Sequence, residues 1–133
     1  WIRQFAESGS ARERLIIFQS FGFKHGIPLD ADLVFDVRCL PNPHYELALQ
    51  PLTGLDAPVA AFLEAHDEVR QMCDDIGNFV SAWLPAYLAD GRSALNVAVG
   101  CTGGQHRSVY LVERLRQQFC REDKVLVRHR SLA

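Results

Sequence analysis

No part of the 133-residue chain is apolar for anything near the ~20 residues a membrane-spanning helix needs. The longest uncharged apolar runs, such as Leu95 to Val99, are a handful of residues. No basic-then-apolar leader precedes a cleavage site, so no secretory signal is read. The four cysteines, Cys39, Cys73, Cys101 and Cys120, form no Cys-x-x-Cys pair, and the five histidines show no His-x-x-x-His. That spacing argues against a zinc ribbon or knuckle, and no metal is expected. Internal repeats and low-complexity tracts are missing too. What remains is ordinary globular composition: 48% hydrophobic and 23% charged residues, which excludes wholesale disorder. A chain of this length makes one domain and buries roughly two-thirds of its unfolded surface, so its core needs no metal or disulfide staple. The thiols are therefore read as free in a cytoplasmic protein, two disulfides being the alternative. The chain opens on Trp1 rather than Met and is read as part of something longer.

A net charge of −2 conceals an asymmetry. Residues 1–100 carry 7 basic against 13 acidic side chains, net −6; residues 101–133 carry 7 against 3, net +4. A basic final quarter hints at an anionic partner.

Residues 1–13, with Glu7, Ser8, Gly9 and Ser10, read as a polar lead-in, and residues 14–133 as the domain. Leu15-Ile16-Ile17-Phe18 begins a strand that stops at Gly22. Lys24-His25-Gly26-Ile27-Pro28 is a loop, and Leu33 to Arg38 a second strand. Pro41 and Pro43 leave the next segment no route into a sheet interior or a helix. Asp56 reads as an N-cap with Pro58 in the first turn, opening a helix near 58–65. Val69, Ile76, Val80 and Leu84 recur at helical spacing across a longer helix near 67–88 that ends around Asp90-Gly91. Leu95 to Val99 is a compact central strand. A helix with Val109, Leu111, Val112, Leu115 and Phe119 follows, then a closing strand at Val125 to Val127. The order β, β, α, α, β, α, β predicts a single-domain α/β sandwich with a mostly parallel or mixed sheet of about four strands.

The chemistry concentrates in Gly100-Cys101-Thr102-Gly103-Gly104-Gln105-His106-Arg107-Ser108, which joins a buried strand to a helix through paired glycines. Such a turn lets backbone N–H groups converge on an anion, and the helix N-terminus adds its positive end. Arg107 offers a planar fork to phosphate or carboxylate, and Thr102 and Ser108 supply hydroxyls. The bland alternative is a tight turn beside a solvated arginine. The Cys-x5-Arg-Ser spacing also looks like the loop of cysteine-dependent phosphatases, in which a thiolate attacks phosphorus. Against that, Gly100 stands where those enzymes usually carry His, no carboxylate is assignable as leaving-group acid, and Cys101 serves equally well as a small buried thiol. Asp36 and Arg38 at the end of the second strand, and His44 beyond it, stand where open α/β sheets bind ligands. Lys24 and His25, with Arg121, Lys124, Arg128 and Arg130, are expected to form a positive strip beside the pocket.

Several blocks are specific: Phe18 to Pro28, Val34 to Arg38, Leu40-Pro41-Asn42-Pro43-His44, Leu52-Thr53-Gly54-Leu55-Asp56, and Gly100 to Ser108. Over about Leu15 to Leu132 they resemble the C-terminal domain of the RapZ/YvcJ family. That resemblance implies a non-catalytic RNase adapter that presents small regulatory RNA to ribonuclease E and senses glucosamine 6-phosphate. It implies a sugar-phosphate pocket made by Asp36, His44, Cys101, Thr102, Gly103, His106 and Arg107, to which the anion-loop reading adds Gly104 and Ser108. Lys24, His25 and Arg38 are implied contributors to RNA or ligand contact, joined by Arg121, Lys124, Arg128 and Arg130. Family members carry an N-terminal nucleotide-binding domain with a Walker A loop. No Gly-x-x-x-x-Gly-Lys-[Ser/Thr] occurs here, so ATP or GTP is expected in a domain outside this chain, with no cofactor in this one. A cytoplasmic homo-oligomer with no membrane partner completes the expectation.

Overall fold

Two almost uninterrupted apolar runs dictate the centre of the sheet. In the computed structural model, which describes residues 14–132, they form β1 (Leu15–Gly22) and β3 (Leu95–Cys101), paired in parallel and buried along nearly their whole length. The flanking strands β2 (Leu33–Asp36) and β4 (Lys124–His129) alternate half-buried and exposed residues, the pattern of an edge. The order is β2-β3-β1-β4, every pair parallel. Parallel neighbours cannot be joined by hairpins, so helices make the crossovers: α1 (Ala57–Glu64) and α2 (Asp67–Ala89) between β2 and β3, and α3 (Arg107–Phe119) between β3 and β4.

Side chains alternate across a strand, and the register sorts them into two faces. Ile16 and Phe18 of β1, Leu95, Val97, Val99 and Cys101 of β3, and the half-buried Leu33, Phe35, Val125 and Val127 of the edges share one cluster. All three helices pack into it: Val59 and Leu63 from α1, Val69, Ile76, Val80 and Leu84 from α2, and Leu111, Leu115 and Phe119 from α3. Phe18 and Leu111 are fully buried, and each such side chain contributes roughly 2–3 kcal/mol of transfer free energy. The opposite face carries a polar network in which Gln19 bonds Asp30 and Asn96 and accepts from Arg130. The α/β reading and the element order hold, and the sheet is wholly parallel.

Local differences have local causes. The second strand stops at Asp36, not Arg38, because the Asp36 carboxylate accepts from the Arg38 N–H and turns the chain out of the sheet. Pro43 does enter a helical turn, as the first residue of a 3-10 turn (Pro43–Tyr45) capped by Asn42 Oδ1 on the His44 N–H, a place where proline is tolerated. Asp56 occupies the N-cap of α1, but its carboxylate accepts from the N–H of Thr53 rather than from the helix. The third and fourth strands are longer than expected, ending at Cys101 and His129. Residues 1–13, read as a lead-in, lie outside the described residues, as does Ala133. All four cysteines are free, Cys39 and Cys120 exposed and Cys73 and Cys101 buried. Burial pushes the Cys73 thiol up to about 11 and the Tyr110 hydroxyl up to about 12. Among the described residues no helix is long and apolar enough to cross a membrane.

Candidate functional site

β3 delivers Cys101 to the carboxyl edge of the sheet, and α3 begins only six residues later at Arg107. The five intervening residues must reverse the chain in little space, and Gly104 does so at φ +76°. A Cβ there would lie 2.5 Å from the Gly22 nitrogen and 2.7 Å from the Phe21 carbonyl carbon, so the loop rests directly on the end of β1. Gly103 faces the other way: an added Cβ would meet only the Lys24 side chain, at 3.9 Å.

Behind the loop, Gly104 N–H donates to Cys101 Sγ at 3.3 Å, and Ser108 Oγ lies 3.2 Å from the same sulfur. The N–H groups of Gly103, Gln105, His106, Arg107 and Ser108 have no protein acceptor among the described residues. The helix they begin has no side-chain cap and no acidic residue in its first turn. Unpaired donors and the positive end of the helix dipole thus share the start of α3.

Arg107 stands over it, 4% exposed. Its Nη1 donates to the carbonyls of Arg38 (2.8 Å) and Leu40 (3.0 Å), and its Nη2 reaches Thr102 Oγ1 at 3.4 Å. Its Nε is buried with no acceptor. Among the described residues no carboxylate pairs with this guanidinium. Burying a cation without a paired carboxylate is costly, and this one lies at the start of an uncapped helix. The cavity in front is about 240 Å³.

Of the expected ligand residues, His44, Cys101, Thr102, Gly103, His106 and Arg107 line that one cavity. Gly104 and Ser108 support it from behind. His106 Nε2 donates to the Leu49 carbonyl at 3.1 Å, which fixes its ring beside His44 at a centroid distance of 6.4 Å. Asp36 is not among the lining residues. Its carboxylate takes the Arg38 Nε (3.0 and 3.1 Å) and Nη2 (2.7 Å), hydrogen bonds that hold its carboxyl below the ordinary value, with the more distant charge of Arg107 adding least. Arg38 is correspondingly committed, its guanidinium also 4.0 Å over the Phe23 ring.

The six basic residues expected to form a strip do not lie together. Lys24 lines the cavity, and His25 and Arg130 share a neighbouring hollow at the same edge. Arg128 pairs with Asp30 at 3.5 Å. Lys124, however, pairs with Leu15 at the amino edge of the sheet while His129 pairs with Ser20. The length of β4, about 16 Å, thus separates Arg121 and Lys124 from the pocket.

Sequence reasoning missed four contributors. Asn42, Gln50 and Gln105 line the cavity. Gly54 braces it: its N–H donates to the Gln105 carbonyl at 2.8 Å, and a Cβ on it would run into the His106 carbonyl oxygen. The only hint was a glycine placed between Thr53 and the N-cap Asp56.

Residues 14–133 match the family described as the RapZ C-terminal domain. The chain belongs to that family. A nucleotide-binding protein of Methylobacillus flagellatus is 63% identical over 133 residues, covering 99% of this chain and 47% of the relative. Nucleotide-binding proteins of Dechloromonas aromatica and Aromatoleum aromaticum are 59% and 60% identical, over 47% and 46% of their lengths. The chain thus spans about half the length of these relatives. In this RapZ C-terminal domain the blocks 36–38, 40–44, 52–56 and 100–108, far apart in sequence, meet around one loop through Arg107 and Gly54.

Proposed function

We propose that this domain is the ligand-sensing half of a RapZ-type RNase adapter. Its anion loop takes the phosphate of a phosphorylated amino sugar, glucosamine 6-phosphate. Lys24, His25, Arg128 and Arg130, on the same edge, contact the phosphates of small regulatory RNA destined for ribonuclease E. The observation that carries the reading is the buried Arg107, without a carboxylate partner among the described residues, beside an uncapped helix N-terminus. Because sugar phosphate and RNA meet at neighbouring positive surfaces, each weakens the other's binding by the same factor.

A cysteine phosphatase is the second reading, favoured by the contacts of Gly104 N–H and Ser108 Oγ to Cys101 Sγ. Two features weigh against it: Cys101 is 2% exposed, and none of the residues lining the 240 Å³ cavity carries a carboxylate to protonate a leaving group.

Fluorescence anisotropy of a labelled small RNA tests the proposal. Glucosamine 6-phosphate is expected to displace the RNA while unphosphorylated glucosamine does not, and RNA affinity is expected to fall steeply with salt. RNA binding indifferent to the sugar phosphate contradicts the sensor. Turnover of an aryl phosphate that vanishes in Cys101→Ser transfers the site to the phosphatase.

A further inference from the structure

A serine, a histidine and a glutamate line up where β4 ends. Ser20 and His129 are the last paired residues of β1 and β4. Ser20 Oγ lies 2.7 Å from His129 Nδ1, and His129 Nε2 lies 2.7 Å from Glu113 Oε2 on α3. The other Glu113 oxygen accepts from Arg116 Nε at 3.1 Å. An ionised carboxylate only accepts, so Nε2 carries the proton toward Glu113. In the neutral ring Nδ1 is then left to accept from the Ser20 hydroxyl. The order is that of a hydrolase triad, yet Ser20 is fully buried and lines neither the anion cavity nor the neighbouring hollow. A nucleophile needs an opening to its substrate, so the relay serves another purpose.

What it holds is the end of an edge strand. β4 has β1 as its one neighbour in the sheet, and its residues alternate exposed and half-buried, so its end is the first part to fray unless anchored. Past His129, the Arg130 N–H donates to the Ser20 carbonyl at 2.9 Å, and Ser131 Oγ accepts from the Gly22 N–H at 3.2 Å. That same serine oxygen borders the anion loop: a Cβ on Gly104 would stand 2.6 Å from it. Residues 129–131 thus lie under Gly104, the loop residue with a left-handed backbone. We propose that His129 is a positioning residue for the anion loop. By tying Ser20 to Glu113 it fixes the end of β4, and so sets Ser131 against Gly22 and Gly104. This rests on the anion reading of the loop and extends that site to a segment outside the Cys-x5-Arg block.

Calorimetry with inorganic phosphate, urea denaturation and amide NMR on the same variants test this. His129→Gln cannot bond both partners, and it is expected to bind phosphate about three- to tenfold more weakly, the equivalent of one hydrogen bond. Its Gly22 and Gly104 amide resonances are expected to shift before any phosphate is added. Ser131→Ala, a milder change at a half-buried position, is expected to reproduce both effects with little loss of stability, and Ser131→Thr, which keeps the hydroxyl, to restore them. Variants whose urea midpoint falls while phosphate affinity and the Gly104 resonance hold would make the relay a staple for β4 alone and overturn the proposal. If wild type and both variants bind phosphate equally well, the loop stands without His129, and the positioning role is likewise overturned. If wild type binds no phosphate, the anion reading falls and this assignment falls with it.

Discussion

Arg107→Ala is expected to lower affinity for inorganic phosphate and its esters by about a hundredfold or more, a loss of at least ~2.7 kcal/mol of binding free energy. Two effects combine. The guanidinium is the buried positive charge beside the loop amides, and removing it takes away the strongest donor to an incoming anion. It also bridges the carbonyls of Arg38 and Leu40. Without it those carbonyls lose their partner, and the 37–44 segment that carries Asn42 and His44 to the cavity loosens. Each carbonyl left unpaired costs about 1–3 kcal/mol if it stays dry, so the variant should also unfold at lower urea. Arg107→Lys separates the two contributions. It keeps the charge but lacks the fork, so it should recover part of the binding and little of the stability. Unchanged phosphate affinity in both variants would remove the cradle.

The second large effect is expected at Gly104. An alanine there combines a left-handed backbone with a Cβ driven into the Gly22 nitrogen and the Phe21 carbonyl carbon, both main-chain atoms that cannot swing aside. Backbone strain and overpacking together should destabilise the fold by about 2–5 kcal/mol and abolish anion binding. Gly103→Ala, one residue earlier, is expected to stay within about 1 kcal/mol of wild type, because its Cβ enters ordinary contact with the flexible end of Lys24 alone. Urea denaturation of the two variants side by side measures the difference. Equal stabilities would mean the loop is not folded as described.

That contrast also marks what one-dimensional reading can reach. The continuous apolar run of β3 and the helical spacing of Val69, Ile76, Val80 and Leu84 expose the sheet centre and α2 directly, because burial patterns are local. The glycine pair announces a tight turn between strand and helix. Which glycine bears the load is hidden, since the answer lies in the end of β1, some eighty residues upstream. Gly54 is opaque for the same reason: its work is done against Gln105 and His106. Arg121, Lys124, Arg128 and Arg130 cluster along the chain, yet a strand that runs the height of the sheet sends them to opposite edges. Asp36 shows the converse case. Its place at a strand end is right for a ligand, but Arg38, two residues on, reaches it first.

Unpaired amides at the start of α3 are proposed to receive an anion together with Arg107. Titrating the protein with inorganic phosphate and following its amide resonances by ¹⁵N NMR tests it most directly. The expected result is saturable shifts at Gly103, Gln105, His106, Arg107 and Ser108, lost in Arg107→Ala. Resonances of that loop that stay fixed while Arg128 and Arg130 move would place the anion elsewhere and contradict the account.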